Sequence, residues 1–386
     1  MSDLTEKNMI RYLELAKGYV DEDDLLWFCP LKFNSLFSYN LVTGETLWRG
    51  FIPDEPRWHM TLYRDCIKYK DRLYMIPYNA NGIAVYSFTD GEFEKIKIND
   101  FGVKTEKISG TVIYGNKLFL FGEKIPCILI LDCDTGKLTY FDKLHKELDK
   151  IAKLDVSFYF TCTAVSQGNL CYLTATKLNA LVIFNMDDNS YKITKLGDSK
   201  GIYNNLLKKD DFLFLIPGNH RKFAVWDIKN NKLRETEKEI NKPSQYYSCY
   251  YHEGSFYALP NRADSIVGIK VDGDEVSFKE KKIDDYYDIR FCGDPDTEID
   301  FCKFRSVYED GSRILYFCLL NRELYILDKS SGDINHSSII MDTGTRMSIA
   351  KVFYEKYNIL MGKGWIKENS LLDLEVFVEE AVVGKG

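Results

Sequence analysis

Two histidines lie in polar segments where a side chain can act as an acid or a base. His59 follows Arg57 and Trp58, and His220 precedes Arg221. Histidine is the side chain that most often transfers protons near neutral pH, so His59 and His220 are the candidate catalytic residues. Arginine binds carboxylates and phosphates. The arginines that can hold a negative substrate group are Arg57, Arg221, Arg262 and Arg322.

A larger set of side chains can bind a polar ligand without transferring protons. Its members are Asn, Tyr, Trp and Arg residues in short polar segments between apolar runs. They are Arg57, Trp58, Tyr78, Asn79, Asn81, Asn219, Arg221, Tyr246, Tyr247, Asn261, Arg262, Arg290, Asn321 and Arg322. Asn favours turns for backbone reasons, but turn formation does not explain cations beside it in an acidic chain. We therefore predict a site for a ligand with a carboxylate, phosphate or carbonyl group.

The sequence shows no pattern of metal or cofactor ligands. Asp294, Asp296 and Asp300 are spaced like part of a cation loop, but the glycine and closing glutamate of a calcium loop are missing. The ten cysteines form no Cys-x-x-Cys pair, so we expect reduced structural thiols. Nucleophile elbows, phosphate-binding glycine loops and dinucleotide fingerprints are also missing. We predict that the protein uses no cofactor.

One sequence unit is repeated seven times along the chain. Its clearest copy runs from Asp211 to Lys232, with an apolar run that stops at Pro217, a polar corner, a second apolar run and a tight turn. The first apolar residues of the copies lie 43 to 59 residues apart, at Leu26, Leu73, Leu118, Leu170, Leu213, Phe256 and Leu315. In five copies the second run ends in Asp or Asn, at Asn40, Asp132, Asn185, Asp227 and Asp328.

The repeat predicts an all-β fold in which each unit forms four short strands, which we call strands a to d. Periods of roughly 40 to 50 residues with four strands are typical of a β-propeller. We predict one domain over residues 1–386. Its seven blades are expected at about 10–52, 60–98, 108–143, 158–196, 202–240, 245–283 and 300–341, and residues 342–386 are expected to add closing strands and a short helix at 370–383. An eighth blade is the alternative.

A further helix is predicted between the third and fourth blades, over residues 143–154. Leu144, Leu148, Ile151 and Ala152 lie on one side of it.

The predicted topology places all of the candidate residues on one face. Strands alternate in direction, so the corners from strand b to strand c share a face with the links from strand d to the next strand a. We call this the corner face. Six of its seven corners have a Lys, Arg or His. The predicted site is therefore the mouth of the central channel on the corner face.

Composition narrows the classes of partner. The net charge of −7 disfavours broad binding to nucleic acid or to an anionic membrane. The N-terminal residues are charged throughout, and no apolar run approaches the roughly 20 residues of a membrane span. We expect a cytoplasmic protein whose partner is a small polar ligand, a peptide or another protein.

The segment Val225-Trp226-Asp227-Ile228 and its relatives resemble the outer half of blades in WD-repeat, kelch-type and related propellers. The resemblance covers about residues 10–341 and is to the superfamily, because the Gly-His pair of WD repeats and the double glycine of kelch repeats are absent. Seven-bladed bacterial propellers of this kind include binding scaffolds and also lyases of the virginiamycin B type. The resemblance assigns a catalytic role to no residue.

Two functions remain open from the sequence. The first is a binding or scaffold protein that recognises a ligand, peptide or partner on the corner face. The second is an enzyme, a lyase or hydrolase that acts on a polar small molecule, sugar or peptide at the channel mouth. An enzyme is expected to hold a histidine near a polar partner, and a scaffold to show a broad exposed aromatic patch. A third, weaker interpretation is an assembly domain that uses the C-terminal helix.

Overall fold

The computed structural model describes residues 13–57, 59–152, 158–160, 164–176, 178–197, 202–240, 246–261, 263, 265–273, 275–282, 304–319, 321–342 and 344–345. Within these residues the strands form seven antiparallel sheets of four strands, and each sheet follows the order of the chain. These sheets are blades 1 to 7. The predicted all-β fold with seven four-stranded blades is confirmed.

The first four blades contain sixteen strands. They are β1 (Tyr19–Val20), β2 (Leu25–Phe28), β3 (Leu36–Asn40), β4 (Thr46–Gly50), β5 (Tyr63–Tyr69), β6 (Arg72–Pro77), β7 (Gly82–Ser87), β8 (Phe93–Lys97), β9 (Ile108–Tyr114), β10 (Lys117–Gly122), β11 (Ile128–Asp132), β12 (Leu138–Phe141), β13 (Val165–Gln167), β14 (Leu170–Ala175), β15 (Ala180–Asn185) and β16 (Tyr191–Lys195).

The last three blades contain twelve strands. They are β17 (Tyr203–Lys209), β18 (Phe212–Pro217), β19 (Ala224–Asp227), β20 (Lys232–Glu235), β21 (Tyr246–His252), β22 (Ser255–Pro260), β23 (Ser265–Asp272), β24 (Glu275–Lys282), β25 (Phe304–Glu309), β26 (Arg313–Cys318), β27 (Glu323–Asp328) and β28 (Ile334–Ser338).

The second strand of each blade is buried on both sides. Along β18, for example, Leu213 to Pro217 are all buried. Such a strand shows no alternation of polar and apolar residues because both faces of its sheet are covered by neighbouring blades. The repeated apolar runs of the sequence are these strands.

The Asp or Asn that ends the third strand stabilises the turn to the fourth strand. The Asp132 carboxylate accepts hydrogen bonds from the backbone N–H groups of Asp134 and Thr135 at 3.1 and 2.9 Å. Asn40, Asn185, Asp227 and Asp328 accept equivalent bonds in their own blades. This local capping explains why five copies of the repeat carry Asp or Asn at that position.

The seven blades close into a ring. Seven clusters of buried apolar side chains occur in the described residues, and each lies between two neighbouring blades. The closing cluster joins blade 7 to blade 1 and includes Leu15, Phe28 and Phe317. Near it, the N–H of Leu13 donates to the carbonyl of Ile339 at 3.2 Å.

The first strand of blade 1 is shorter than the predicted start of that blade suggests. Blade 1 was expected to begin at about residue 10, but in the described residues its first strand is β1. Lys17 and Gly18, just before β1, donate their N–H groups to the carbonyls of Arg64 in blade 2 and Val307 in blade 7. The predicted eighth blade and the helix at 370–383 lie outside the described residues.

The helix between blades 3 and 4 is confirmed as α1 (Lys143–Ile151). Leu144 and Leu148 are buried against the cluster between those blades. The placement of Ile151 and Ala152 on the apolar side is wrong, because both are exposed, Ile151 by 42%. No helix in the described part of the chain is long and apolar enough to cross a membrane.

Replacing Asn34 by alanine should lower the free energy of unfolding by about 1–3 kcal/mol. Asn34 is 1% exposed in the first corner. Its amide donates to the carbonyl of Ile52 at 2.7 Å and accepts from the N–H of Ile52 at 3.3 Å. The variant therefore leaves the buried N–H and C=O groups of Ile52 without these hydrogen bonds. Urea unfolding measures the loss. Val42→Ala, at a residue 77% exposed, is the control and should change stability by less than about 0.5 kcal/mol.

Candidate functional site

Arg64 connects three blades at the corner-face end of the channel. It is the second residue of β5 in blade 2. Its Nη1 donates to Oε2 of Glu123, which follows β10 in blade 3, at 3.0 Å. Its Nη2 donates to the hydroxyl of Tyr247, the second residue of β21 in blade 6, at 2.6 Å. Because blades 2 and 6 stand on opposite sides of a seven-membered ring, this second bond spans the channel.

A β-bulge directs Arg64 toward the channel. The pairing of β5 with β6 shifts between Tyr63 and Asp65, so Arg64 is an extra residue in the ladder. Equivalent shifts leave Asn204 and Tyr247 as extra residues in β17 and β21. A bulge takes a side chain out of the strict alternation between the two faces of a strand. The side chains can then reach over the inner edge of the blade.

Further polar side chains surround the guanidinium. It lies over the ring of Tyr78 at 4.9 Å. The Tyr78 hydroxyl is 3.5 Å from Oε1 of Glu106, and Glu106 forms an ion pair with Lys124. We call Arg64, Tyr78, Glu106, Glu123, Lys124 and Tyr247 the channel-mouth cluster.

Burial changes the protonation of the carboxyl groups at this mouth. Glu123 is 7% exposed, and burial raises its pKa to about 7, with Glu106 adding to the rise and Arg64 and Lys124 opposing it. Burial also raises the pKa of Asp65, against the lowering effect of Lys17, whose Nζ lies 3.4 Å away. The carboxyl groups thus lose negative charge more readily than usual.

The structure brings two of the sequence-predicted ligand residues into the cluster, Tyr78 and Tyr247. Asn79 lies next to it, accepting from the N–H of Glu106 at 3.0 Å and donating to the carbonyl of Met60 at 2.8 Å.

The other predicted residues that the structure describes lie in or next to the corners and links of their own blades, and several of them form hydrogen bonds there. Asn81 bonds to Glu55, Asn219 accepts from the N–H of Ile202, Tyr246 is buried with its hydroxyl 3.1 Å from Ser265, and Asn321 donates to Glu323 and Tyr325. Arg57 lies over the ring of Phe51, Arg221 is exposed, Asn261 is half-buried, and Arg322 takes a φ of 60°. Trp58, Arg262 and Arg290 lie outside the described residues. The ligand roles of all these residues stay predictions.

Both candidate catalytic histidines contact residues of their own repeat unit and none of the channel-mouth cluster in the contacts described below. His59 is half-buried, with Nδ1 2.9 Å from the carbonyl of Met60. His220 is 9% exposed, stacks on Tyr203 at 5.0 Å and places Nε2 3.4 Å from Oε1 of Glu235 in the same blade. These contacts account for the burial of His220, and a catalytic role for either histidine remains a prediction.

Sequence reasoning did not single out Arg64 or Glu123, although a signal for Arg64 exists. Arg64 stands nine residues before Leu73, the first apolar residue of its repeat. The residues at the same offset in the other described blades are also hydrophilic: Lys17, Ser109, Asn204, Tyr247 and Ser306. Aligning the repeats on their apolar runs therefore reveals a polar column along the inner strands.

Metal binding finds no support in the geometry of the described residues. They contain no group of three or more His, Cys, Asp or Glu side chains that could hold an ion. The acidic segment of Asp294, Asp296 and Asp300 lies outside them.

Comparisons with known proteins reveal similarity in structure but not in sequence. No protein-family profile and no curated protein matches the chain. Virginiamycin B lyase from Staphylococcus aureus is similar over 82% of this chain and 94% of its own, with 13% identity and a TM-score of 0.57. This structural similarity agrees with the closed ring of seven four-stranded blades. This chain is a seven-bladed β-propeller.

Two further solved structures are similar to this propeller. Dihydro-heme d1 dehydrogenase NirN matches over 85% of this chain and 67% of its own, with 11% identity and a TM-score of 0.54. A chain of the mitotic checkpoint complex matches over 86% and 88%, with 9% identity and a TM-score of 0.52. Similar propellers thus include enzymes and a member of a protein assembly. At such identities the likeness shows the fold alone, and function has to be argued from the site.

Proposed function

We propose that this propeller binds a small polar ligand, bearing an anionic or carbonyl group, at the channel-mouth cluster. The observation that carries the proposal is the position of Arg64, held by Glu123 and Tyr247 from two other blades. A guanidinium on a rigid ring of strands can present paired N–H donors to a carboxylate or phosphate. Tyr78 and Tyr247 add an aromatic surface and a hydroxyl to the same place.

The charges near the mouth support an anionic ligand. Arg64 is positive, whereas burial favours the neutral form of its carboxylate partner Glu123. Lys17 and Lys124 are balanced by Asp65 and Glu106, with which they form ion pairs. The mouth is therefore more positive than its residue types alone indicate. It attracts anions although the whole chain has a charge of −7.

A small ligand is better supported than a docked protein. The large hydrophobic side chains exposed in the described residues are Val42, Leu47, Met60, Ile151 and Ile340, and none is aromatic. Protein interfaces usually centre on aromatic anchors. A peptide or protein partner and a cytoplasmic location stay predictions from the sequence.

An enzyme is the second candidate function, and one observation favours it. The carboxyl group of Glu123, with a pKa near 7, can both donate and accept a proton at neutral pH. A lyase or hydrolase could use Glu123 in this role while Arg64 holds a negative group of the substrate.

Arg64→Gln should abolish ligand binding. Thermal unfolding against sugars, nucleotides, organic acids and short peptides is the first measurement. A ligand at one hundred times its Kd stabilises the wild type by about 2.7 kcal/mol, and this stabilisation should vanish in Arg64→Gln because the paired donors are gone. Lys97→Gln, which removes an exposed cation at the end of β8, is the matched control and should keep it. A ligand that stabilises Arg64→Gln as much as the wild type would place the site elsewhere.

A further inference from the structure

We infer that the ligand is an anion that binds together with one proton, which is taken up by Glu123. This inference rests on the proposed function and adds the charge of the ligand and its linkage to pH. It follows from the way in which Glu123 and Tyr247 share one guanidinium.

An anion bound to Arg64 must lie beside Glu123. Oε2 of Glu123 is only 3.0 Å from Nη1 of Arg64, so a second negative group on this guanidinium is held within a few ångströms of the first. Two close anions in a buried site repel strongly. As in other pairs of acidic groups that share a site, the repulsion is relieved when one of them is protonated.

Protonation also changes what Glu123 can offer to a ligand. An ionised carboxylate only accepts hydrogen bonds, whereas the neutral acid has an O–H donor. The proton comes from solvent and ends on a carboxylate oxygen of Glu123, and no covalent bond of the ligand changes. Arg64, the neutral acid and the phenol O–H of Tyr247 then supply three donors to one anion. The positive charge of Arg64 stays balanced because the ligand replaces the carboxylate charge.

The groups around Glu123 favour protonation of its carboxylate. Apart from Arg64, the charged groups near it in the described residues are Glu106, Lys107 and Lys124, from the link before β9 and from its own corner. The negative charge of Glu106 favours the protonated form, and Lys124 is paired with Glu106. Lys107 accepts the N–H of Glu123 on its carbonyl, while its own Nζ donates to the carbonyls of Asn79 and Lys104.

The same linkage sets the sign of the pH dependence. Below the pKa of the free protein, about 7, Glu123 is already protonated and affinity does not change with pH. Above it, each binding event takes up a proton, so affinity falls by up to about tenfold per pH unit. The pKa of Glu123 in the complex is raised further by the bound anion and marks the upper end of this range.

Isothermal titration with oxalate and with sulfate tests the inference, because both probes keep a constant charge between pH 6 and pH 8.5. Their Kd for the wild type should rise by about 30-fold over that range. Titrations at pH 8 in two buffers of different ionisation enthalpy should show uptake of about one proton for each anion bound.

Two variants separate the role of Glu123 from that of its neighbours. Glu123→Gln should bind with a Kd close to the wild-type value at pH 6 and keep it at pH 8.5, within about twofold. Glu106→Gln should retain the pH dependence but begin it at a lower pH, because a charge that raises the pKa of Glu123 has been removed.

The outcomes distinguish this inference from the proposed function. Binding that depends on Arg64 but shows neither proton uptake nor a change with pH overturns the inference and leaves the proposed function in place. A wild-type pH dependence that persists in Glu123→Gln also overturns it. If neither probe binds the wild type at any pH, the inference of an anionic ligand fails. A neutral ligand lost in Arg64→Gln would then still support the proposed function.

Discussion

Glu123→Gln should abolish the loss of stability that the ionisation of Glu123 causes in the wild type as the pH rises from 5 to 8. The folded protein holds the pKa of Glu123 at about 7, above its ordinary value of 4.5. A carboxyl group with a raised pKa contributes stability that is fully present below 4.5 and is lost as pH rises through 7, because the ionised form is costly to bury. A difference of about 2.5 pKa units corresponds to about 3 kcal/mol.

The measurement is urea unfolding of the wild type and the variant at several pH values. The difference between their free energies of unfolding should change by about 2–3 kcal/mol between pH 5 and pH 8. Taking this difference cancels the contributions of the other titrating groups. Glu45→Gln, which removes an exposed carboxylate, is the control and should follow the wild-type curve. Parallel curves for the wild type and Glu123→Gln would mean that Glu123 titrates alike in the folded and unfolded chains.

Phe184→Ala should lower the free energy of unfolding by about 3–5 kcal/mol. Phe184 is fully buried between blades 3 and 4. Its ring meets those of Phe119, Phe121 and Phe141 with centroid distances of 6.0, 5.8 and 5.8 Å. The variant leaves a cavity among stiff strands and removes these three edge-to-face contacts.

The matched control for this cavity is Met60→Ala, at a side chain 58% exposed. It should change stability by less than about 0.5 kcal/mol in the same denaturant titration. A loss below about 1 kcal/mol for Phe184→Ala would contradict the tight packing of blade 3 on blade 4, since full burial of a phenylalanine contributes more than that.

The sequence predicted the ring well because the signals for it are local. Leu73 and Leu213 begin apolar runs that are too short for helices and end at polar corners, and each became a buried second strand. The Asp or Asn at the end of the third strand was visible as a recurrence, and its cause is the short turn that follows, from whose N–H groups it accepts hydrogen bonds. Such features need no knowledge of distant contacts.

The centre of the candidate site could be predicted only in part. The alternation of strand direction placed Tyr78 and Tyr247 on the face where the structure finds the cluster. Arg64 lies in a column of polar residues that can be seen only when the repeats are aligned. Its role also depends on a β-bulge, which the residue types in this segment do not predict. The pKa of Glu123 is set by burial and by Arg64, which is 59 residues away in the chain.

The positive charges in the corners illustrate a second limit of sequence reasoning. Six corners have a Lys, Arg or His, which indicated a site for a negatively charged or carbonyl-bearing ligand on the corner face. In the structure, Lys32 pairs with Glu14 at 2.8 Å and Lys124 pairs with Glu106. Carboxylates from separate segments thus neutralise these lysines, and spacing along the chain did not reveal these pairs.

The titration of Glu123 itself is the most direct test of anion binding coupled to protonation at the channel mouth. The carboxyl carbons of glutamate can be labelled with carbon-13, and the signal of Glu123 is identified by its loss in Glu123→Gln. Its chemical shift, followed from pH 4 to pH 9 in the ligand-free protein, should report a midpoint near 7. Addition of oxalate should move that midpoint upward. A midpoint at or below the ordinary 4.5 would show that Arg64 outweighs burial, and would contradict a channel mouth in which Glu123 gives up its charge to a bound anion.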